Sequence, residues 1–488
     1  MNLYESFSAT SRIHHEKTAL VCEEGRFTYD EFQAKIDLFA NLLESIYTNN
    51  NFIRFGLLTF NKVNDLVILF AAAKLNLEIL VINPDLNRNQ IEVLLKETGI
   101  SILITQQEKL SDYNDCVVLG NLENSIILRT LRKHENFISQ NEAYLITASS
   151  GSTGNPKPIV FSQETKYLRM LQSKDLYNIS EKDVILNASG LYHSLGQRLT
   201  FLPLLNGCTL VMLSKFNQNK WIENVEKENV TFTIAVSTHL HALSQYLLSD
   251  SVEKTSLTKL VSSSAAINFE TKLSLFNSPK FEFYEQYGAS EVATVSNCSA
   301  ENFGEANNTV GVLCDGVSVE IHDQTDKPND SGEIRVRSPL AFLGYMKQGE
   351  LKKFTRDSLF RTGDEGSLKG NYLYYHGRIN EVINRGGQKL YPQDIESHLL
   401  NNEKVCECKV IRVNHPYFGE SPIAFIVPFP GKILTVGEIN SWALTNIPKF
   451  QIPGDYVLIK KLPKLGSGKI DIIKLQIMYE SHRKLTDQ

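Results

Sequence analysis

A glycine- and serine-rich stretch, SSGSTGNPKP from Ser149 to Pro158, stands between two apolar segments of the chain. Small residues let a loop turn so that its backbone N–H groups and hydroxyls converge on one point, and Lys157 adds a mobile positive charge. This chemistry suits the binding of a polyphosphate. The stretch is not a Walker loop, because Asn155 and Pro156 separate Gly154 from the lysine. A flexible surface linker of the same composition is the alternative.

Four further stretches follow in the chain, and the five together are more specific than any one. They are YEQYGASE from Tyr284, FRTGDEG from Phe360, GRINEVINRGGQKLYPQDIE from Gly377 and PKLGSGKID from Pro463. This arrangement resembles the adenylate-forming superfamily of acyl-CoA synthetases, adenylation domains and firefly luciferase, and it covers nearly the whole chain. The resemblance implies an AMP-forming acid–thiol ligase. Such an enzyme uses ATP and Mg²⁺ to convert a carboxylic acid into an acyl-adenylate, which then becomes a thioester of CoA or of carrier-protein phosphopantetheine.

Three side chains in these stretches suit the recognition of ATP. Tyr287 offers an aromatic face for adenine, and Asp364 can accept hydrogen bonds from two ribose hydroxyls. Glu291 supplies a hard carboxylate oxygen for Mg²⁺ that bridges phosphates. The alternatives are a core tyrosine, a turn aspartate and a solvated surface glutamate.

By resemblance, Arg378 closes the ATP side and contacts the ribose or a phosphate. Where coumarate-type ligases have Gly-Ala-Ala-Pro against the adenine, this chain begins with Ser264 and ends with Ile267, which allows weak affinity for ATP. The ATP-binding residues that we expect are Ser149, Ser150, Gly151, Ser152, Thr153, Gly154, Lys157, Ser264, Ala265, Ala266, Tyr287, Gly288, Ser290, Asp364 and Arg378.

Lys469, in a glycine-rich loop near the end of the chain, resembles the catalytic lysine of the superfamily. That lysine bridges the substrate carboxylate and the α-phosphate while the adenylate forms. Electrostatic stabilisation of this kind contributes on the order of 10²–10³ in rate for one group. An ordinary surface lysine is the alternative.

The resemblance also implies a small C-terminal domain that rotates after adenylation. Gly386 and Gly387 would then line a channel for the pantetheine thiol, where a side chain would block the arm. The hinge aligns with Asn380, where relatives usually carry Asp or Lys. Asparagine tolerates unusual backbone angles, so rotation is retained without the usual charge contacts.

The acyl pocket is the least determined part of the prediction. His193, in the sequence Tyr-His-Ser-Leu-Gly, resembles the gate of aryl- and fatty-acyl-CoA synthetases, and we expect it to act in catalysis and line the pocket. No carboxylate stands there to hold an α-ammonium group, which disfavours an amino acid. Gln286 either shortens the pocket floor or contacts a polar group of the substrate. Gln197 and Arg198 add polarity, with a solvated or ion-paired arginine as the alternative, and Val236 completes the expected pocket.

The elements that must position these residues alternate between helix and strand patterns through the first 300 residues, which predicts an α/β fold with doubly wound, mostly parallel sheets. Short strands with turn signals then predict a β-subdomain. Periodicity predicts a helix over Val63–Leu75, a strand over Glu78–Ile82, helices over Pro392–Leu400 and near Val436–Asn446, and a strand over Val405–Val413 with Cys406 and Cys408 on one face. With the resemblance, this gives an N-terminal adenylation domain over residues 1–379 and a mobile α+β domain over 380–488.

Composition excludes several other classes of protein. The 488 residues are 42% hydrophobic and carry a formal net charge of −5, with no basic block for nucleic acid. No apolar run is long enough for a membrane span, and the start is too polar for a signal peptide. Seven scattered cysteines fit reduced thiols, so the cytoplasm is the expected location.

Two alternatives to an acid–CoA ligase stay open. One is a stand-alone ligase of amino acids to carrier proteins, and the other is a catalytically weak homologue that acts as a partner of a carrier or synthase. No carrier domain follows the last motif, so the thiol is expected in trans, on CoA or on an acyl carrier protein. The net charge gives only weak support to CoA.

Overall fold

A computed structural model of the protein describes residues 2–50, 54–100, 102–105, 117–119, 126–127, 142–149, 157–264, 267, 269–306, 309–323, 325–464 and 470–486. Helices within these ranges are α1 Leu3–Ile13, α2 Tyr29–Asn50, α3 Val63–Lys74, α4 Arg88–Thr98, α5 Gln163–Leu176, α6 Ser194–Leu205, α7 Gln218–Lys227, α8 Ser237–Leu247, α9 Phe269–Phe276, α10 Ala300–Glu305, α11 Pro392–Leu400, α12 Val436–Asn446 and α13 Ile472–Thr486. None of the described helices is long and apolar enough to cross a membrane.

The strands form three sheets. Their bounds are β1 Thr18–Cys22, β2 Gly25–Thr28, β3 Arg54–Leu58, β4 Glu78–Ile82, β5 Leu103–Thr105, β6 Val117–Leu119, β7 Ile126–Ile127, β8 Leu145–Ser149, β9 Lys157–Phe161, β10 Val184–Asn187, β11 Thr209–Met212, β12 Phe232–Val236, β13 Lys259–Ser263, β14 Glu282–Ala289, β15 Ala293–Cys298, β16 Val312–Leu313, β17 Ser318–His322, β18 Ser331–Arg337, β19 Gly344–Lys347, β20 Glu350–Lys353, β21 Phe360–Lys369, β22 Tyr372–Arg378, β23 Ile383–Arg385, β24 Gln388–Leu390, β25 Val405–His415, β26 Gly419–Pro428 and β27 Asp455–Leu458.

The largest sheet has the strand order β17-β18-β21-β22-β16-β15-β14-β13-β12-β10-β11-β1-β2. Its half from β14 to β1 is parallel, and β15 begins an antiparallel half that contains the predicted β-rich segment. The second sheet has the order β20-β19-β9-β8-β4-β3-β5-β6-β7, with parallel pairs only from β8 to β6. The α/β class is confirmed, with parallel pairing confined to part of each sheet.

One hydrophobic core joins the two large sheets. It contains Phe55 of β3, Ile185 of β10 and nearly every side chain of α3. A helix that is apolar on all sides must be buried on all sides, so the composition of α3 places it inside the large domain. The helix α6, which carries the predicted site residues Gln197 and Arg198, packs against α5 in this core.

The C-terminal domain has a sheet of its own, in which β24, β23, β26 and β25 are adjacent and β27 pairs with β26. Its two core clusters contain only residues from Ile383 onwards. The predicted helices Pro392–Leu400 and Val436–Asn446 are confirmed to the residue. A smaller C-terminal domain with an independent core therefore follows the large one.

Candidate active site

The end of β14 meets the β21–β22 hairpin at a corner made by Tyr287, Asp364 and Arg378, which we call the nucleotide corner. The Tyr287 hydroxyl donates to Asp364 Oδ2 over 2.7 Å, and Arg378 Nε lies 2.9 Å from Asp364 Oδ1. Asp364 and Arg378 are direct partners in the strand register, so the sheet itself sets their separation. Burial, and then the charge of Asp364, raises the pKa of Tyr287 well above its ordinary value.

Asp364 is buried, whereas the Arg378 side chain is about half exposed, so this corner opens to solvent on the arginine side. Arg378 also donates to the Thr362 carbonyl over 3.0 Å. Gly363, between Thr362 and Asp364 in the chain, has a φ of +71°, a backbone angle that residues with a side chain rarely adopt. The glycine therefore lets the chain present aspartate and arginine together at the sheet edge.

Glycine is also required directly after Tyr287. A Cβ on Gly288 would lie 2.1 Å from the Ala293 carbonyl oxygen, because β14 and β15 approach closely at a break in their register. Beyond this irregularity the two strands stay paired through Ala289 and Ala293, up to the Ser290–Glu291 turn. Gly288 is therefore needed because its lack of a side chain lets the backbones of the two strands approach closely.

Glu291 stands in a turn that is held by Arg169 of α5. The Arg169 guanidinium donates to the carbonyls of Ser290 and Glu291 over 2.7 and 2.9 Å, and to the Leu340 carbonyl over 2.7 and 3.0 Å. Arg169 is almost completely buried. Burial, and then the charge of Arg198, lowers its pKa to about 9.

The Glu291 carboxylate is only partly occupied by the protein. Its Oε1 accepts a hydrogen bond from the Tyr345 hydroxyl over 3.0 Å, and no described residue donates to Oε2. Among the described residues no group of three or more His, Cys, Asp or Glu side chains surrounds a metal position. A single available carboxylate fits Mg²⁺, which proteins commonly hold through one or two carboxylates together with phosphate oxygens.

His193 is the N-cap residue of α6, and its ring lies against Tyr192 at a centroid distance of 4.5 Å. Its backbone N–H donates to the Gly190 carbonyl over 2.9 Å. A Cβ on Gly196 would lie 2.2 Å from that same carbonyl oxygen, so α6 packs directly on the preceding turn. The glycine of the His-x-x-Gly pattern therefore fixes how closely the His193 turn approaches the helix.

Gln197 joins three elements and is fully buried. Its amide nitrogen donates to Thr147 Oγ1 and to the Leu191 carbonyl over 2.9 and 2.8 Å, and its oxygen accepts from Lys166 Nζ over 2.6 Å. All of its donor hydrogens are engaged within the protein. In this structure Gln197 ties α6 to α5 and β8 and offers no free donor to a ligand.

Arg198 points instead to β14 and β15. Its Nη1 donates to Gln286 Oε1 and to Thr294 Oγ1, both over 2.8 Å, and Thr294 Oγ1 also lies 2.9 Å from Gln286 Oε1. The Tyr177 hydroxyl lies 3.3 Å from both Gln286 Oε1 and Asn297 Oδ1. We call these five residues the distal pocket. Arg198 is partly buried, and it forms no ion pair with a described carboxylate.

Val236 caps α8, which faces the C-terminal domain. On this helix the ring of His239 stacks on Phe216 at 3.7 Å, and burial, with a smaller contribution from Lys464, lowers its pKa to about 4. His241 lies 4.0 Å from Cys406 Sγ and stacks on Phe429. Residues Lys464 and Ile470 form a bridge next to this contact region. The C-terminal domain is therefore docked beside the end of β12.

The predicted hinge and thiol residues lie at the start of the C-terminal domain. Asn380 is the middle residue of a 3-10 turn, Ile379–Glu381, and the following Glu381 lies 3.4 Å from Lys409 Nζ. Gly386 and Gly387 have φ values of +57° and +86°, and nothing lies within 4 Å of a Cβ placed on Gly387. This segment is open in the observed orientation.

Residues 7–346 match the AMP-binding enzyme family, and residues 394–469 match the AMP-binding enzyme C-terminal domain. The chain belongs to the AMP-binding enzyme family.

Relatives of this AMP-binding enzyme agree with that assignment. An indoleacetate–CoA ligase of Aromatoleum aromaticum is 28% identical over 67% of this chain and 65% of its own length. A 2-succinylbenzoate–CoA ligase of Bacillus subtilis is 24% identical over 94% of this chain and 95% of its own length. The solved o-succinylbenzoate CoA synthetase of the same species, bound to its acyl-adenylate, has a TM-score of 0.83 at 21% identity and covers 98% of both chains. The prediction of an AMP-forming acid–thiol ligase is confirmed.

Several predicted site residues of the AMP-binding enzyme lie outside the described part of the chain. These are Ser150, Gly151, Ser152, Thr153, Gly154, Ala265, Ala266 and Lys469, together with the side chain of Ser149. Lys157 is exposed at the start of β9, and Ser264 is exposed with a φ of +79°. Their predicted roles stay predictions.

Sequence reasoning missed Arg169 and Lys166, which organise the site from α5. Arg169 lies seven residues and Lys166 four residues after Ser162, the N-cap of α5, in a helix with no glycine-rich or acidic motif. The only signal was the position of two cations on one face of a helix that directly follows the glycine-rich stretch and its strand. A solvated face explains such a pair equally well from sequence.

Proposed function

We propose that the protein joins a small carboxylic acid to CoA in two steps at one site. In the first, a carboxylate oxygen of the acid attacks the α-phosphorus of ATP, and pyrophosphate leaves. In the second, the CoA thiol attacks the acyl carbon, AMP leaves and the thiol proton goes to solvent. The observation that carries the proposal is the nucleotide corner, in which Tyr287, Asp364 and Arg378 converge within hydrogen-bond distance beside the turn that carries Glu291.

The corner supports recognition of the nucleoside. We propose that Tyr287 stacks on the adenine and that Asp364 accepts hydrogen bonds from the ribose hydroxyls. Arg378, half exposed and oriented by Asp364, is a fixed cation near the ribose and phosphates. Among the residues that the structure describes, Lys157 and Ser264 stand at exposed loop ends, where they are accessible to a nucleotide.

Glu291 would hold Mg²⁺ through its carboxylate. The ion would neutralise charge on the phosphates as pyrophosphate leaves. Because Arg169 fixes both carbonyls of the turn, the carboxylate is presented at a constant place, and Tyr345 alone among the described residues competes for it. Preorganisation of this kind lowers the cost of placing the charge when the substrate binds.

The two domains supply different halves of the reaction. We propose a boundary at residues 379 and 380, with Asn380 as hinge, and Lys469 as the cation that stabilises charge between carboxylate and α-phosphate. In support, the Lys464–Ile470 bridge lies close enough to α8 for Lys464 to act electrostatically on His239, which follows Val236 by three residues. Gly387 is then left in the open, free to line the thiol path after rotation.

CoA is the acceptor that we propose, because the named relatives are CoA ligases. A carrier protein would serve the same chemistry in trans. The free thiols among the described cysteines support a reducing compartment, and we propose the cytoplasm.

ATP–pyrophosphate exchange tests the first step with aliphatic acids, benzoates, arylacetates and amino acids. Exchange with acids alone supports the proposal. Exchange with amino acids alone would move the protein to amino-acid activation, and no exchange with any compound would support a homologue without ligase activity. CoA and phosphopantetheinylated carrier proteins, offered after adenylation, then distinguish the two acceptors by mass.

A further inference from the structure

The distal pocket contains more hydrogen-bond donors than the protein uses. Both hydrogens of Arg198 Nη1 are engaged with Gln286 and Thr294. Its Nε and Nη2 groups donate to no described residue, and neither is sealed from solvent. The amide nitrogen of Gln286, whose side chain is 8% exposed, likewise has no acceptor among the described residues. Two hydrogen-bonded neighbours, Arg198 and Gln286, therefore both keep donors that no described residue fills.

The acceptors in this pocket are already occupied. Because guanidinium groups only donate, Arg198 requires the amide of Gln286 to face it with its oxygen, and the amide nitrogen must then face away. That oxygen is also close to donors on Tyr177 and Thr294. The pocket therefore complements a ligand that accepts hydrogen bonds.

Positive charge in this part of the large domain has no matching negative charge. Burial, and then the charges of Arg169 and Arg198, lower the pKa of Lys166, and burial followed by the charge of Arg198 lowers the pKa of Arg169; none of the three forms an ion pair with a carboxylate in the described ranges. Glu291 is the acidic side chain that acts on Arg169, and its carboxylate accepts a hydrogen bond from Tyr345. Buried charges without partners are costly, and a bound anion would offset that cost.

Position in the fold places this donor array away from the reacting carboxylate. Along β14, Gln286 and Tyr287 are neighbours and point to opposite faces of the sheet. On α6, Arg198 follows His193 by five residues, which corresponds to a rise of ~7.5 Å along the helix axis. Arg198 also donates to Gln286 of β14, the sequence neighbour of Tyr287, so these donors lie beside the strand that carries the nucleotide corner.

We propose that the substrate carries a second carboxylate at its distal end and that Arg198 and Gln286 bind this group. The inference rests on the proposed adenylation function and names the class of acid for the same site. Arg198 would supply a two-donor face to the distal carboxylate, and Gln286 Nε2 would supply a third hydrogen bond. Thr294 and Tyr177 then act as positioning residues, because they hold Gln286 in the required orientation.

Matched acids test this proposal by exchanging one terminal methyl for a carboxylate. Hexanoate is compared with adipate, and 4-methylbenzoate with terephthalate, by initial rates of acid-dependent pyrophosphate exchange. The wild-type protein should favour the diacid of at least one pair by ~10-fold or more in kcat/KM. In Arg198→Met, diacid activity should fall by roughly 10- to 100-fold more than monoacid activity. Arg198→Lys should keep part of the diacid preference.

The control is Arg12→Met, which removes an exposed arginine at the end of α1 by the same chemical change and should leave both ratios intact. If Arg198→Met does not fold, Arg198→Lys and competition by adipate against hexanoate in the wild-type protein still measure the preference. Exchange with monoacids that exceeds exchange with diacids, or equal losses for both in Arg198→Met, would overturn the inference while adenylation stands. Absence of exchange with every acid would overturn the proposed function itself.

Discussion

The nucleotide corner and the distal pocket lie on opposite faces of β14, yet they are completed in different ways. In the corner, Asp364 already has a tyrosine hydroxyl and an arginine within 3 Å, so charge is balanced before any ligand arrives. In the pocket, Arg198 engages only neutral groups and keeps donors unfilled. A site whose ligand is always the same can have its charges paired within the protein, whereas the hydrogen bonds of the distal pocket are completed only when the selected acid binds.

Lys469→Ala should have the largest effect and should act equally on every acid. Loss of one cation at the developing charge is expected to lower adenylation on the order of 10²–10³-fold. Thioester formation from a supplied acyl-adenylate should be largely retained, because the lysine belongs to one domain orientation. Single-turnover measurement of each half-reaction checks this. Equal losses in both halves would contradict the role, and Lys474→Ala, on α13, is the matched control.

Asp364→Asn should come next, again without regard to the acid. The amide keeps the shape of the side chain but removes the charge that orients Arg378 and accepts from ribose. We expect KM for ATP to rise by roughly 10- to 100-fold, the size of a lost charge-assisted hydrogen bond or two. Exchange assays over a range of ATP concentrations measure the change. If the rise in KM for ATP differed from one acid to another, the nucleotide corner would also select the acid, which would contradict the separation of the two sites.

Gln286→Gly should give a smaller change that depends strongly on the acid. Removing the side chain opens space but takes away the acceptor of Arg198. If the pocket only limits length, two added carbons should gain roughly tenfold, at about 0.8 kcal/mol for each methylene. If Gln286 binds the substrate, activity on the native acid should fall with no gain for longer acids. The network around Arg198 favours the second result, and specificity constants for a chain-length series decide it.

The smallest effect should appear in the dependence of stability on pH. The pKa of His239 is about 4 in the folded protein, below its ordinary value of 6.5, so the unfolded chain binds more protons between these pH values. Stability conferred by neutral His239 is therefore present above pH 6.5 and is lost as the pH falls toward 4. Denaturation midpoints should decline less steeply over this interval in His239→Gln. Parallel declines in both proteins would rule out this contribution.

Sequence predicted the two regions unequally for a physical reason. Glu291, Asp364 and Arg378 stand in short motifs with glycines that have backbone roles, as at Gly363. Arg169 has no such motif, because a guanidinium that bonds carbonyls more than 100 residues away leaves no local pattern. For Arg198, the sequence left a solvated or an ion-paired side chain open, and the structure shows a partly buried one that is hydrogen-bonded to Gln286 and Thr294.

The periodicity of apolar residues predicted helices and strands correctly where these elements are regular. The strand Glu78–Ile82 was predicted to the residue, and α3 differs by one residue at its end. Cys406 and Cys408 were predicted on one face of a strand, and this is wrong, because the register shifts between Val405 and Glu407. Cys408 is buried in the C-terminal core, while Cys406 reaches His241 of the large domain. A one-residue bulge has no sequence signal here.

Arg169 has a consequence for any attempt to transplant this site. Its guanidinium gathers the carbonyls of Ser290, Glu291 and Leu340, which come from separate connections of the chain. The turn that carries Glu291 therefore depends on residues outside its own segment for its shape. A graft that moved residues 288–293 into another scaffold would lose its shape unless an arginine on a neighbouring helix, and the segment around Leu340, were moved with it.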